Sequence, residues 1–195
     1  MNRSFLFVLG SARTEGNTEI LARAAAEQLP ADVERRWVRL SEIALPEFSD
    51  LRHDSDHVRP APDTPAGMLL DATLAATDIV IASPLYWYSV SGLTKHYLDH
   101  WSGWLRIPGV DFKASMAGRT LWGVSARADR EPSVADPLVG TLNNSAAYLG
   151  MRFGGVLQGN GSAPGDVRGD GEALARAKTF FATEAPLARF PHQAG

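Results

Sequence analysis

Short apolar runs recur at residues 5–9, 78–82, 120–124 and 153–157, each closed by Gly, Ser or Gln and too brief for a helix. Runs without polar alternation predict strands buried on both faces, as in a parallel sheet. Between them, apolar residues fall at helical spacing: Ile20, Leu21, Ala24, Ala25 and Leu29, then Met68, Leu69, Ala72 and Ala76. The same spacing returns at Leu93, Tyr97, Leu98 and Trp101, at Leu138, Leu142, Ala146 and Leu149, and at Leu174, Ala177, Phe180 and Phe181. A further strand is predicted over residues 33–40, where Val33, Trp37 and Val38 favour extension although Glu34, Arg35 and Arg36 interrupt clean alternation. Residues 41–65 hold four prolines and predict an irregular connection. Five strands alternating with five helices predict an α/β, doubly wound five-stranded parallel sheet. In such sheets ligands bind beyond the carboxyl ends of the strands at a topological switch point, here the loops after Leu9, Ala82 and Val124.

Composition narrows the classes of function. The 195 residues, 45% hydrophobic and 21% charged, suit one buried core, and a single domain over 1–195 is expected. A net charge of −3 with scattered basic residues argues against nucleic-acid binding. The absence of cysteine excludes a disulfide framework, a thiolate-held iron–sulfur cluster and a Cys nucleophile, and it fits the cytoplasm. The apolar run at 5–9 is too short for a secretory core, and no run reaches the roughly 18 apolar residues of a membrane span. A soluble, unprocessed protein with no membrane partner is expected.

The first loop, residues 10–18, reads GSARTEGNT. It is not a Walker A loop, because Asn17-Thr18 stands where Lys-Ser/Thr is needed, and it lacks the Gly-x-Gly-x-x-Gly of dinucleotide binders. It does combine small residues, the hydroxyls of Ser11, Thr14 and Thr18, the amide of Asn17, the charge of Arg13 and a following helix N-terminus. Two readings stand: a terminal-phosphate cradle, or a plain strand-to-helix turn capped by Asn17 or Thr18. The cradle reading requires the Glu15 side chain to face solvent. The loop after the third strand places Tyr86, Trp87 and Tyr88 in a row behind Ser83, Pro84 and Leu85. Adjacent rings cannot all enter one core, so they either face a ligand or form a core cap or subunit contact.

Gly10-Ser11-x-Arg13-x-x-Gly16-Asn17-Thr18, together with Ser83-Pro84-x-Tyr86 and Gly92-x-x-Lys95-x-x-x-Asp99, resembles the flavodoxin-like NAD(P)H-dependent FMN reductase family. The resemblance implies a three-layer flavodoxin-like sandwich with FMN as cofactor and NADPH or NADH as co-substrate. It implies that Ser11, Arg13, Gly16, Asn17 and Thr18 wrap the FMN phosphate. Pro84, Leu85, Tyr86, Trp87 and Tyr88 would then border the isoalloxazine, and Ser125 and Arg127 would join from the loop after the fourth strand. The implied activity is that of an NAD(P)H-dependent FMN reductase or quinone reductase-like oxidoreductase, passing electrons to a small-molecule acceptor such as a quinone, azo compound or flavin. The cofactor would carry the chemistry, in keeping with the lack of a serine-hydrolase elbow or an acid–base pair. A flavodoxin-type electron carrier is the alternative, which the weak net charge supports little. A homodimer is also implied, with Trp101, Trp104 and the third-loop aromatics as contact surface.

Other candidates have two readings each. Arg127 offers a partner for a nucleotide phosphate or acidic substrate, or else a surface ion pair with Asp129 or Glu131. His53 and His57 suggest either a metal site or, more simply, a solvated loop. His96 and His100, at i and i+4, read as helix surface or interface.

Overall fold

The computed structural model describes residues 3–50, 53 and 57–193. Strands β1 (Ser4–Leu9), β2 (Glu34–Arg39), β3 (Asp78–Ala82), β4 (Thr120–Arg127) and β5 (Arg152–Asn160) form one sheet in the order β2-β1-β3-β4-β5. Every neighbouring pair is parallel. The helices are α1 (Asn17–Ala26), α2 (Pro65–Ala75), α3 (Gly92–Trp104), α4 (Phe112–Met116), α5 (Asp136–Tyr148) and α6 (Gly171–Ala177). The doubly wound α/β sheet expected from the apolar pattern is therefore the observed one. Among the described residues no helix is long and apolar enough to cross a membrane.

The central strands are apolar throughout because both faces are covered. Leu6, Val8, Ile79, Ile81 and Leu121 face α2, α3, α4 and α5, while Phe5, Phe7, Leu9, Val80, Trp122 and Val124 face α1 and α6. The charged interruption in β2 has a physical reason. Arg35, Trp37 and Arg39 alternate onto the α1 side, and each finds a polar or π partner there. Arg35 donates to the carbonyls of Ala26, Leu29 and Pro30, closing the end of α1 and the turn after it. Trp37 stacks on Phe7 at 4.1 Å beneath the Arg23 guanidinium, and Arg39 pairs with Glu19. The period of two survives once those arginines are counted as inward-facing.

Two elements differ from the pattern. Helix α4 has only five residues, too few for periodicity to reveal, and is set by the buried Phe112 and Met116 behind the left-handed residues Gly109 and Asp111. Helix α6 stops at Ala177, and Phe180 and Phe181 lie in a 3-10 turn where both rings meet Trp122, at 5.2 and 5.4 Å. Trp122 also explains Gly154 in β5: a Cβ there would stand 2.0 Å from the indole.

Candidate functional site

Three strand ends meet at the carboxyl edge of the sheet. β1 leaves at Gly10, whose N–H donates to Ala82 at 2.8 Å and whose carbonyl accepts from Ser91 Oγ at 2.6 Å. Ser91 is the N-cap of α3, and a Cβ on Gly10 would lie 1.9 Å from Thr94 Oγ1, so only glycine lets the first loop pass this helix end. Leu85 N–H donates to Ala126 at 3.3 Å, and Ala126 N–H donates to Thr18 Oγ1 at 3.3 Å. Ala126 thereby ties the first turn of α1 to the loop after β3, across the β1/β3 switch point.

In the first loop, Ser11 Oγ accepts from the Arg13 N–H at 3.1 Å. The Arg13 side chain is exposed and makes no ion pair among the described residues. Gly16, rather than Asn17 or Thr18, is the N-cap of α1, and no side chain caps the helix. The first helical hydrogen bond runs from Ile20 N–H to Gly16, leaving the earlier N–H groups of that turn without a helical acceptor. The Asn17 amide is engaged elsewhere: it donates to Ala163 at 2.8 Å and accepts from Gly165 N–H at 2.9 Å. Thr18 is buried against β4. Glu15 faces solvent in a left-handed conformation (φ 54°), and its N–H donates to Glu19 Oε2 at 2.9 Å.

Glu19 is a functional neighbour that motif reading passed over. It is 2% exposed and held by Arg39 and Arg23, each at 2.7 Å. Burial pushes its carboxyl up, but the hydrogen bonds from Arg39, Arg23 and Glu15 outweigh this and hold it below the usual carboxylate range. The brace fixes the turn from which Arg13 projects, since Arg39 also reaches the Arg13 carbonyl at 3.4 Å. Its sequence signal is the acidic residue three positions after Gly16, the spacing of a capping box.

After β3, Pro84 is buried and Leu85 half-buried, and the chain turns back in a tight hairpin. Tyr86 and Ser89 exchange backbone hydrogen bonds at 3.1 and 3.0 Å around Trp87 (φ 49°) and Tyr88 (φ 63°). Two consecutive left-handed residues make the turn that normally selects Asn-Gly, so bulky side chains there carry strain of about 1–2 kcal/mol each. Trp87 is 93% exposed, Tyr88 60% and Tyr86 55%. Strain and exposed aromatic area together are a feature of binding sites rather than of core packing. Trp101 and Trp104 correct the expectation of contact surface: both are buried, facing Tyr97 and Phe112 within the core. Their helical spacing places them on the same face of α3 as Tyr97.

At the end of β4, Ser125 is buried and its Oγ has no hydrogen-bond partner. Arg127 is buried too; it donates to Gln158 Oε1 at 3.0 Å and to the Asp129 carbonyl, and forms no ion pair with Asp129 or Glu131. Among the described residues no group of three or more His, Cys, Asp or Glu side chains could hold a metal. His53 is exposed, while residues 54–56 of that expected cluster lie outside the described residues. His96 and His100 contact each other edge to face at 4.9 Å, with His100 against the Pro46 carbonyl.

The 2-1-3-4-5 sheet order, with the first loop, the uncapped α1 N-terminus and the exposed Arg13 at its switch point, defines a flavodoxin-like α/β protein. The family model for NADPH-dependent FMN reductases matches residues 4–152, and the chain belongs to that family. Its cofactor is accordingly FMN and its reductant NAD(P)H. A Bacillus subtilis protein named as an NAD(P)H-dependent FMN-containing oxidoreductase, YwqN, is 30% identical over 173 residues, 88% of this chain and 93% of its own. The solved structure of the Trp repressor binding protein from Bacillus subtilis matches with a TM-score of 0.69 at 25% identity, covering 90% of this chain and 96% of that one. An azoreductase from Bacillus anthracis shares the fold with a TM-score of 0.62 at 16% identity, over 91% and 99% of the two chains. The donor set fits FMN: free N–H groups and a guanidinium suit the phosphate, and the orphaned Ser125 Oγ and exposed rings suit a flat polar heterocycle.

Proposed function

We propose that the chain is an FMN-dependent NAD(P)H oxidoreductase whose first loop holds the FMN phosphate and whose aromatic hairpin borders the ring and admits a small acceptor. The observation that carries this reading is the convergence of the uncapped α1 N-terminus, the unpaired Arg13 and the strained aromatic hairpin on one sheet edge. Ser11 Oγ, Arg13 and the N–H groups of Gly16, Asn17 and Thr18 receive the phosphate. The side chains of Asn17 and Thr18 act as braces, fixing the turn against residues 163–165 and β4. Bound FMN supplies hydride acceptance from the nicotinamide and two-electron delivery to the acceptor. The protein positions it: Pro84 and Leu85 set the floor, Ser125 and Arg127 approach from β4, and Tyr86, Trp87 and Tyr88 give an apolar wall that excludes water. Quinones, azo compounds and free flavin are the acceptors that such a wall favours. The chain would work as one domain in the cytoplasm, as a homodimer in which the exposed hairpin aromatics find cover.

A double substitution, Trp87→Asn with Tyr88→Gly, tests the hairpin. It supplies the residues that the turn prefers, so stability should rise by about 1–2 kcal/mol. Quinone turnover should fall about tenfold or more, because the wall is lost. Steady-state kinetics with menadione and a thermal melt measure both; unaltered turnover would remove the hairpin from the acceptor site.

A further inference from the structure

The C-terminal ends of β4 and β5 enclose a cavity of about 910 Å3, within the range of nucleotide-sized sites. Arg127, Arg130 and Arg176 line it together with Asp166, Asp170 and Glu172, an even balance of formal charge. Partners are not shared evenly. Asp166 accepts from the N–H groups of Ser162 and Ala163, and Asp170 from those of Asn160 and Ala173. Glu172 lies at the rim, its side chain 91% exposed. The carboxylates are thus met first by backbone donors; Arg176 pairs with Glu172 at 3.9 Å, and Arg176 and Arg127 both act on Asp170 through space, but neither Arg127 nor Arg130 makes a direct ion pair among the described residues. Arg127 is 8% exposed, yet its bonds go only to neutral oxygens of Gln158 and Asp129. Arg130 is exposed at the rim and takes no hydrogen-bond or ionic partner among the described residues.

A buried guanidinium whose direct contacts are all neutral oxygens keeps capacity for an anion that can reach it, because a charge-assisted bond is stronger than those it makes. We infer that this cavity is a subsite for a phosphate monoester, gripped by Arg127 from the floor and Arg130 from the rim. The planar guanidinium fork matches a phosphate face, and two such cations favour a dianion over a diester. The cavity adjoins the first loop: Ala126, next to Arg127, is bonded to Thr18, and Asn17 holds the segment at 163–165 between the lining residues Ser162 and Asp166. A substrate engaged near the flavin loop can therefore extend into it. Two substrates of the proposed reaction carry the required group, the 2′-phosphate of NADPH and the 5′-phosphate of free FMN as acceptor. The inference rests on the proposed FMN-dependent oxidoreductase reading.

Calorimetry of the purified protein with NADP+ and with NAD+, which differ only in the 2′-phosphate monoester, isolates that group, and NADH-driven turnover with FMN against riboflavin isolates the acceptor phosphate. A preference of about tenfold is expected in one arm, falling to about twofold or less in both Arg127→Gln and Arg130→Ala. Arg168→Ala, an exposed arginine outside the cavity, should keep the preference. A preference for NADP+ makes the site the NADPH specificity pocket, and one for FMN makes it an acceptor pocket. No preference in either arm, or a preference that survives both substitutions, overturns the proposal. Protein that takes up no FMN would refute the cofactor reading instead, and the nucleotide calorimetry would still decide whether the cavity grips a phosphate.

Discussion

Replacing Arg13 by alanine should weaken FMN binding about a hundredfold while leaving riboflavin within about twofold, since a charge-assisted contact to a dianion is worth roughly 1.5–3 kcal/mol. The selectivity follows from position. Arg13 is the unpaired cation beside an uncapped helix, and riboflavin has no phosphate to meet either feature. The substitution should not unfold the loop. The Arg13 backbone carries the contacts to Ser11 Oγ and Arg39, and alanine retains both. Glu19 and Arg39 continue to brace the turn from behind. Fluorescence titration of the apoprotein with each flavin measures the two affinities. Equal weakening of both would move the phosphate away from this loop.

Asp78→Ala should have the largest effect on stability, about 2–3 kcal/mol, as expected when the acceptor of a buried indole N–H and of a half-exposed guanidinium is removed. Asp78 is 3% exposed at the amino end of β3, opposite the site. It accepts from Arg3 at 3.1 and 2.6 Å, from Trp122 Nε1 at 2.8 Å and from Thr77 Oγ1 at 2.8 Å. Alanine strands the buried Trp122 N–H and frees the half-exposed Arg3 guanidinium, which also bonds the Phe181 carbonyl and lies over the Phe5 ring. Trp122 is the hub where β4, Gly154 and the Phe180–Phe181 turn meet, so the loss should be global rather than local. Asp78→Asn, which keeps an acceptor for the indole, should lose about half as much. Urea unfolding followed by tryptophan fluorescence reads both variants, and an unchanged midpoint in Asp78→Ala would contradict the network's role.

The sheet was legible because its central strands are apolar on both faces and its helices keep a 3.6-residue period. β2 was harder to read, since Arg35 and Arg39 look like surface residues until α1 supplies the carbonyls and the Glu19 carboxylate that hold them. The location of the first loop could be inferred from its small residues and the helix after it. The division of labour within it could not: Asn17 and Thr18 carry suitable side chains, yet partners over 100 positions away in the chain engage them. The same holds for Trp101 and Trp104, whose type suggested an interface and whose burial depends on Phe112, in a helix too short to foresee. Glu15 resolves simply, its side chain turned to solvent while its N–H donates to the buried Glu19 carboxylate.

The central claim is that this chain binds FMN and accepts electrons directly from a nicotinamide nucleotide. The most direct measurement is the visible spectrum of the purified protein, supplemented with FMN, before and after anaerobic addition of NADPH or NADH. The account predicts flavin bands that bleach rapidly on addition of the nucleotide and return when a quinone is admitted. A protein that retains no flavin, or one whose flavin bands persist in the presence of both nucleotides, would contradict it.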